Sequence, residues 1–161
     1  MLKNVFILFL LFSWLPNQAQ ESYRYTTKEG LPTNHVYDIA QDSNGFMWFA
    51  TKLGVVKFDG DSFKTFTIQD GLPNNDTWRL VADKEGKVWY FSKNKYQGYI
   101  KNDSIYKYPN SLSTIITPRN QFKLNDSLIL HTDLGLFMLK DSVFDNIKTV
   151  DEYSNSIKQI E

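Results

Sequence analysis

The strongest constraint on this chain is that part of it is written twice. Gly30-Leu31-Pro32 returns as Gly71-Leu72-Pro73, a shift of 41 positions. The same shift carries Asn34 to Asn75, Ile39 to Leu80, Asp42 to Asp83, Gly45 to Gly86 and Trp48 to Trp89. One ungapped offset serving so many positions marks a duplicated structural unit, and a period of this length belongs to stacked arrays or to radial repeats. An offset of 81 recovers a third, degenerate unit, in which Thr51, Leu53 and Gly54 map to Thr132, Leu134 and Gly135 while Ile129 stands in the place of Trp48. Asn155 to Glu161 resembles Asn34 to Ala40, the opening of a fourth unit.

Within each unit the pattern is that of short strands. In the first, His35 to Gln41 is β-prone, with Val36 and Ile39 the expected buried residues. The turn signal Asp42-Ser43-Asn44-Gly45 leads to Phe46–Thr51 (FMWFAT), and Lys52-Leu53-Gly54 leads to Val55–Phe58. Asp59-Gly60, a strong hairpin signal, opens onto Phe63–Ile68. The second unit predicts strands over Trp78–Ala82, Lys87–Ser92, Gly98–Ile100 and Ile105–Tyr108, with about three extra residues within Lys93–Gln97 and a turn at Asn102-Asp103. The third predicts Gln121–Leu124, Leu128–His131, Leu136–Leu139 and Val143–Ile147.

Four short antiparallel strands in each period is the make-up of a β-propeller blade, whereas helical arrays lack strand alternation and frequent glycine turns. The expected fold is therefore all-β: about three blades of four antiparallel strands in an incomplete ring. Blade 1 covers about residues 30–68, blade 2 about 71–108, blade 3 about 112–147, and a fourth begins at about 153–161. Closed propellers use about four to eight blades, and an open stack leaves uncovered faces and unpaired edges. The expectation is the front end of a longer protein, or a truncated reading frame.

Residues 1–19 read as a secretory signal peptide, leaving 20–161 as the mature chain. Lys3 supplies the positive start, Val5–Leu15 is apolar apart from Ser13, and Ala19 offers a small residue before the cut. The apolar run is about half the roughly 20 residues that span a bilayer. The absence of cysteine removes disulfide frameworks, thiol catalysis, cysteine zinc sites and a lipoprotein anchor. With 18 basic and 18 acidic side chains, the chain has no electrostatic footprint for nucleic acid or an anionic membrane.

Candidate functional residues are few. Trp48 and Trp89 suit a sugar face, but recurrence at one strand position assigns them to packing between blades. Tyr96 and Tyr99, beside the insertion and off the repeat register, are the ligand-binding candidates. Asp42-Ser43-Asn44-Gly45 begins like a calcium loop, yet Leu53 occupies the place of the twelfth-position glutamate, so it reads as a hairpin turn. The Gly-Leu-Pro triplets are expected to shape the crossovers between blades, with Asn34 and Asn75 bonded to turn backbone. His35 and His131 are not equivalent in register and identify no carboxylate partners. No catalytic set, metal site or cofactor site is assigned.

Gly30–Ile39, Asp42–Thr51 and Gly54–Gly60 together resemble the two-component regulator propeller repeat. A second copy runs from Gly71 to Ser92, with Ser92 in place of the threonine, and a third matches only over Leu128–Leu139. In that family such repeats build the exported sensor half of membrane-bound histidine kinases, common in Bacteroidetes. A small β-sandwich, a membrane helix and a cytoplasmic kinase often follow. The resemblance implies a periplasmic sensor segment for a carbohydrate-type or other small ligand, with the remaining blades of the same protein as partners and any dimerisation through downstream regions. No phosphoacceptor or ATP-lid pattern is present, so the chain itself is not expected to be an enzyme. The alternative is a structural or protein-interaction propeller without a small ligand. Asp103-Ser104-Ile105, Asp126-Ser127-Leu128 and Asp141-Ser142-Val143 also resemble the short O-glycosylation acceptor of Bacteroidetes.

Overall fold

The computed structural model describes residues 22–124 and 127–149. The expected signal peptide over 1–19 and the expected start of a fourth unit at about 153–161 lie outside the described residues. Twelve strands form three four-stranded antiparallel sheets, each a meander in which sequence neighbours pair. The first holds β1 (Val36–Gln41), β2 (Met47–Thr51), β3 (Gly54–Phe58) and β4 (Phe63–Phe66). The second holds β5 (Thr77–Ala82), β6 (Val88–Ser92), β7 (Tyr96–Lys101) and β8 (Ser104–Pro109). The third holds β9 (Pro118–Leu124), β10 (Ser127–Thr132), β11 (Gly135–Lys140) and β12 (Val143–Thr149). The degenerate unit is thus a whole blade. The largest boundary differences lie in the second and third blades: β9 starts at Pro118 rather than Gln121, and β7 starts at Tyr96 rather than Gly98, so only three residues separate it from β6.

One carboxylate organises each of the first two blades. Asp42 Oδ1 accepts the backbone N–H of Asn44 at 2.9 Å and of Phe46 at 3.1 Å, while Oδ2 accepts the Trp48 indole N–H at 2.8 Å. Asp83 repeats this with Glu85, Lys87 and Trp89 at 2.9, 3.0 and 3.0 Å. The turn and the orientation of the strand's largest side chain are therefore fixed together. In the third unit Lys123 and Ile129 stand at these positions, and the device is lost.

The next turn uses a hydroxyl. Thr51 Oγ1 donates to the Gly54 carbonyl at 2.8 Å and accepts the Leu53 N–H at 3.1 Å; Thr132 does the same with Gly135 and Leu134, at 3.1 Å each. Gly54 sits at φ +134°, and a Cβ there would collide with the Phe66 carbonyl oxygen. No other residue fits.

The sheets bury their faces against each other. Between blades 1 and 2, Trp48, Ala50, Val55 and Phe66 meet Leu72, Leu80, Val88, Tyr90 and Ile100. Between blades 2 and 3, Trp89 and Phe91 meet Leu128, Leu130, Phe137 and Phe144. Both tryptophans lie in these clusters between blades: Trp48 stacks on Phe66 of its own blade at 5.8 Å between centroids, and Trp89 meets Phe144 of blade 3 edge-on at 6.2 Å. A third cluster of Leu31, Phe49, Val56 and Phe58 lies on the other face of blade 1.

Ile39, expected to be buried, is 54% exposed, whereas its repeat equivalent Leu80 is 4% exposed. The reason is positional. Leu80 packs against blade 1, and Ile39 lies on the side of blade 1 where the described residues provide no neighbouring blade.

Polar contacts complete the junction of blades 1 and 2. Asp38 Oδ2 accepts the Leu80 N–H at 2.9 Å. Asp103, in the positive-φ turn it forms with Asn102, bridges Lys57 at 3.1 Å and Lys64 at 2.9 Å. The hydrogen bond from Lys64, followed by that from Lys57, holds the Asp103 carboxyl below its usual range. The Gly-Leu-Pro crossover joins β4 to β5: the Leu72 N–H donates to Thr67 O at 3.0 Å, and Asn75 Oδ1 accepts the Ile68 N–H at 2.8 Å.

Gly54→Ala is expected to lower stability by at least about 2 kcal/mol in urea melts, against about 1 kcal/mol for Gly60→Ala, where a Cβ meets open space. Asp103, with its pKa lowered on folding, contributes stability above the ordinary carboxylate range and loses it as pH falls through its folded pKa. Its side chain is 40% exposed, so Asp103→Asn is expected to cost under about 1 kcal/mol at pH 7, with that difference vanishing in melts at strongly acid pH.

Candidate functional site

The pairing of the first strand in every blade is broken once, at the same place. Val36 pairs with Thr51 and Asp38 with Ala50, which leaves Tyr37 as the extra residue. Thr77 pairs with Ser92 and Arg79 with Phe91, leaving Trp78. Pro118 pairs with Thr132 and Asn120 with His131, leaving Arg119. A bulge re-aims the side chain it carries, and bulges gather beside functional sites. Tyr37, Trp78 and Arg119 are therefore a row only in register: equivalent, specially directed positions on β1, β5 and β9, of which β1 and β5 lie side by side.

Polar groups converge on the first of these positions. The Tyr37 phenol is hydrogen-bonded to Asp76; desolvation first, and this carboxylate second, raise its pKa above the ordinary value. The His35 ring lies 4.6 Å from the Tyr37 ring, tilted by 49°. Asp76 Oδ1 is buried with no hydrogen-bond partner. Tyr37 and Arg119 are exposed and Trp78 is half-buried. The chemistry on offer is a pair of aromatic surfaces and a guanidinium, with the Asp76 carboxylate behind Tyr37 and closed to solvent at Oδ1.

Tyr96 and Tyr99 lie elsewhere. Tyr99 pairs with Trp89 on β6 just as Lys57 pairs with Trp48, so it is in repeat register after all. Its ring sits 4.9 Å from Trp89, 4.8 Å from Tyr106 and 6.0 Å from Tyr108. The Tyr108 hydroxyl, 3.4 Å from that of Tyr99, leads the causes that push the Tyr99 phenol up to about 12, with desolvation second. The Tyr96 N–H donates to Asn94 Oδ1 at 3.0 Å, and Lys95 Nζ lies 5.1 Å from its ring centroid.

The insertion beside them is a clasp. Asn94 exchanges both backbone hydrogen bonds with Ile116 at 3.2 Å, and its side-chain amide donates to Pro73 O at 3.0 Å. One residue thereby ties the crossover entering blade 2 to the one leaving it. Asn110 Nδ2 donates to Lys95 O at 2.8 Å and to Thr114 O at 2.7 Å. The buried Gln97 amide donates to Ser92 O at 2.9 Å and accepts the Ser92 N–H at 3.1 Å, replacing the threonine turn of the other blades. Sequence reasoning missed both the clasp and the bulge row. The bulges left no trace because every unit carries one, which keeps the offset between the first two units ungapped.

Elsewhere, Gln41, Asp42 and Ser43 face Ala82, Asp83 and Lys84 across an open cleft of about 330 Å³. Both aspartates there are engaged with turn N–H groups and indoles. Among the described residues, no group of three or more His, Asp or Glu could hold a metal ion. Nor is any helix among them long and apolar enough to cross a membrane.

Three meandering sheets packed face to face define a propeller-blade array, and comparison with solved structures agrees. The extracellular domain of BT4673 from B. thetaiotaomicron, described as a hybrid two component system, matches over 84% of this chain with a TM-score of 0.68 at 14% identity. A second structure of that domain, described as from a one component system, matches over 80% with a TM-score of 0.65 at 18% identity. Such identities establish a shared fold, and this chain spans 19% of the length of each. Residues 30–52 match the family model of the two component regulator propeller, so the first unit is a repeat of that type. No curated protein matches the chain.

Tyr99 supplies a test of its surroundings. A tyrosine whose pKa is raised on folding contributes stability that is fully present below its unfolded value near 10 and is lost as pH rises through the folded value of about 12. Tyr99→Phe is expected to flatten the loss of stability between pH 10 and 12 in alkaline urea melts, with little change at pH 7.

Proposed function

We propose that this chain is part of the exported sensor region of a two-component signalling protein, and that it recognises a small carbohydrate-type ligand at the Tyr37–Trp78–Arg119 row. The observation that carries the sensor reading is the two component regulator propeller repeat at residues 30–52, set in a fold shared with extracellular domains of a two-component system. The signal-peptide reading of residues 1–19 puts the region on the periplasmic side, with the kinase elsewhere in the protein.

The ligand class rests on the row itself. Aromatic faces suit the C–H surface of a sugar while the Tyr37 hydroxyl, oriented by Asp76 behind it, bonds a sugar hydroxyl. Arg119 suits a carboxylate-bearing sugar through its planar fork. A ligand spanning β1 and β5 touches two blades at once. It can bias their arrangement only by its difference in affinity for the two states. Tyr96 and Tyr99 remain a second candidate site, ranked lower because their rings and backbone are occupied by the cluster and the clasp.

The test is isothermal titration calorimetry of the export-processed protein with neutral and uronic-acid oligosaccharides. The expected result is saturable binding that weakens at least about tenfold, or roughly 1.4 kcal/mol, in Tyr37→Ala and Trp78→Ala. Arg119→Ala should weaken the uronic acids selectively. Binding lost only in Tyr99→Phe would move the site to the second candidate. Binding of no saccharide would leave a protein-interaction propeller as the better reading.

A further inference from the structure

We infer that Arg79 is a further recognition residue of the bulge site, and that its guanidinium binds an acidic group on the sugar, a carboxylate or a sulfate ester. The inference deepens the ligand reading above and rests on it.

Three backbone N–H groups stand at equivalent places, two residues beyond the extra residue of each bulge: those of Ile39, Leu80 and Gln121. Each is met by a side-chain oxygen. Asp38 Oδ1 accepts the Ile39 N–H at 3.0 Å, and Asn120 Oδ1 accepts the Gln121 N–H at 2.9 Å. In both blades the acceptor is the residue immediately before the N–H that it serves. Arg79 holds that place in blade 2, and a guanidinium has no acceptor. The Leu80 N–H is served from the neighbouring blade instead, where Asp38 Oδ2 accepts it at 2.9 Å. Asp38 thus fills two acceptor places, its own and the one that Arg79 vacates.

Packing does not ask for this exchange. An Asp or Asn at position 79 would close blade 2 as Asp38 and Asn120 close the other two. Arginine gives up the local bond, makes blade 2 depend on blade 1 for it, and leaves an exposed guanidinium. That guanidinium makes no ion pair among the described residues. Asp38 is not its partner, since both carboxylate oxygens are engaged with backbone N–H groups.

The position matches the bulge site. Arg79 directly follows Trp78, and the two together oppose Phe91 across the bulge of β5. β5 lies beside β1, and the bond from the Leu80 N–H to Asp38 ties the two strands at this level. Tyr37, Trp78 and Arg79 therefore fall on two adjacent strands, at or next to their bulges, whereas Arg119 stands on β9 in the next blade. An aromatic face with a guanidinium one residue away is complementary to a ring that carries an anion. The C–H surface of the ring takes Trp78, and its acidic group takes paired N–H donors from Arg79. Lysine would supply the charge without the planar fork.

The test is calorimetry on the whole chain with three probes: a uronic-acid trisaccharide, its methyl ester and a sulfated trisaccharide. Arg79→Gln is expected to weaken the acidic probe at least about tenfold, to cost the methyl ester far less, and to leave the melting temperature of the free protein unchanged. Arg79→Lys should recover part of the loss. Preference of the unaltered protein for the uronic acid assigns a carboxylate, and preference for the sulfated sugar assigns a sulfate ester; both support the inference. Equal affinity for the acid and its methyl ester overturns it and leaves the ligand site standing. So does an acid preference that survives Arg79→Gln and is lost in Arg119→Ala. Binding of no probe overturns both the inference and the reading beneath it. A measurement without ligand checks the acceptor exchange: Asp38→Ala is expected to lower the melting temperature by several degrees, and by less in the Arg79→Asn background, where the new amide serves Leu80 as Asn120 serves Gln121. Equal losses in the two backgrounds overturn the exchange, and the inference with it.

Discussion

A four-stranded sheet that is apolar on both faces has no stable existence alone, and most of this structure is a solution to that problem. Val56 and Phe49 point one way from blade 1, while Trp48, Val55 and Phe66 point the other, and all are buried. Each large side chain is worth roughly 1.5–3 kcal/mol when taken from water. Neither face can be left open without giving up several such terms. The blade therefore demands a neighbour on each side, and the polar details exist to hold the neighbours in register.

The crossover meets that demand twice over. It carries the chain from an outer strand back to the next first strand, and it also inserts Leu72 into the junction it has just created, at 3% exposure. Its backbone is closed by Thr67, Asp70 and Asn75, so the leucine is delivered in a fixed position and not by a loose loop. Between blades 2 and 3 this device is absent, and the clasp around Asn94, Asn110 and Gln97 takes its place. Ile116, fully buried, is held by Asn94 through paired backbone bonds and plays the part that Leu72 plays one junction earlier. The substitution has a residue of imperfection. Ser92 stands where threonine turned the chain in the other blades, but Gln97 now holds its backbone, and the Ser92 hydroxyl is buried without a partner.

These solutions differ in how legible they are from sequence. The blade itself was plain, because strand alternation and the Asp-to-Trp spacing of six residues survive intact in the first two copies. The third blade was readable through the few positions that an offset of 81 recovers, Thr132, Leu134 and Gly135 among them. That glycine marks the place where a Cβ would meet the carbonyl of Lys148, a constraint that persists when tryptophan and Gly-Leu-Pro have drifted away. Ile39 misled for the opposite reason. Its residue type was right for a buried position, but burial depends on a neighbouring blade, and strand pattern carries no information about which neighbours are present. Tyr99 misled through alignment: the turn from β6 to β7 is one residue longer than that from β2 to β3, not about three, and a one-residue insertion returns Tyr99 to the position of Lys57.

The bulge row was invisible to a different degree, and its location is a consequence of the same packing problem. Mid-sheet positions on second and third strands are consumed by junctions between blades. The turns at one end are consumed by Asp42 and Asp83, and the loops at the other by the crossovers and the clasp. An extra residue in the first strand escapes both duties, because it has no partner in the ladder and no place in the alternation. Tyr37, Trp78 and Arg119 differ from one another at a position where the scaffold makes no demand, while Val36 and Thr77 beside them stay apolar or β-branched. A repeat that must hold its packing residues constant can vary its recognition chemistry only at such released positions. The proposed ligand site therefore lies at the bulges, because the conspicuous tryptophans are consumed by packing.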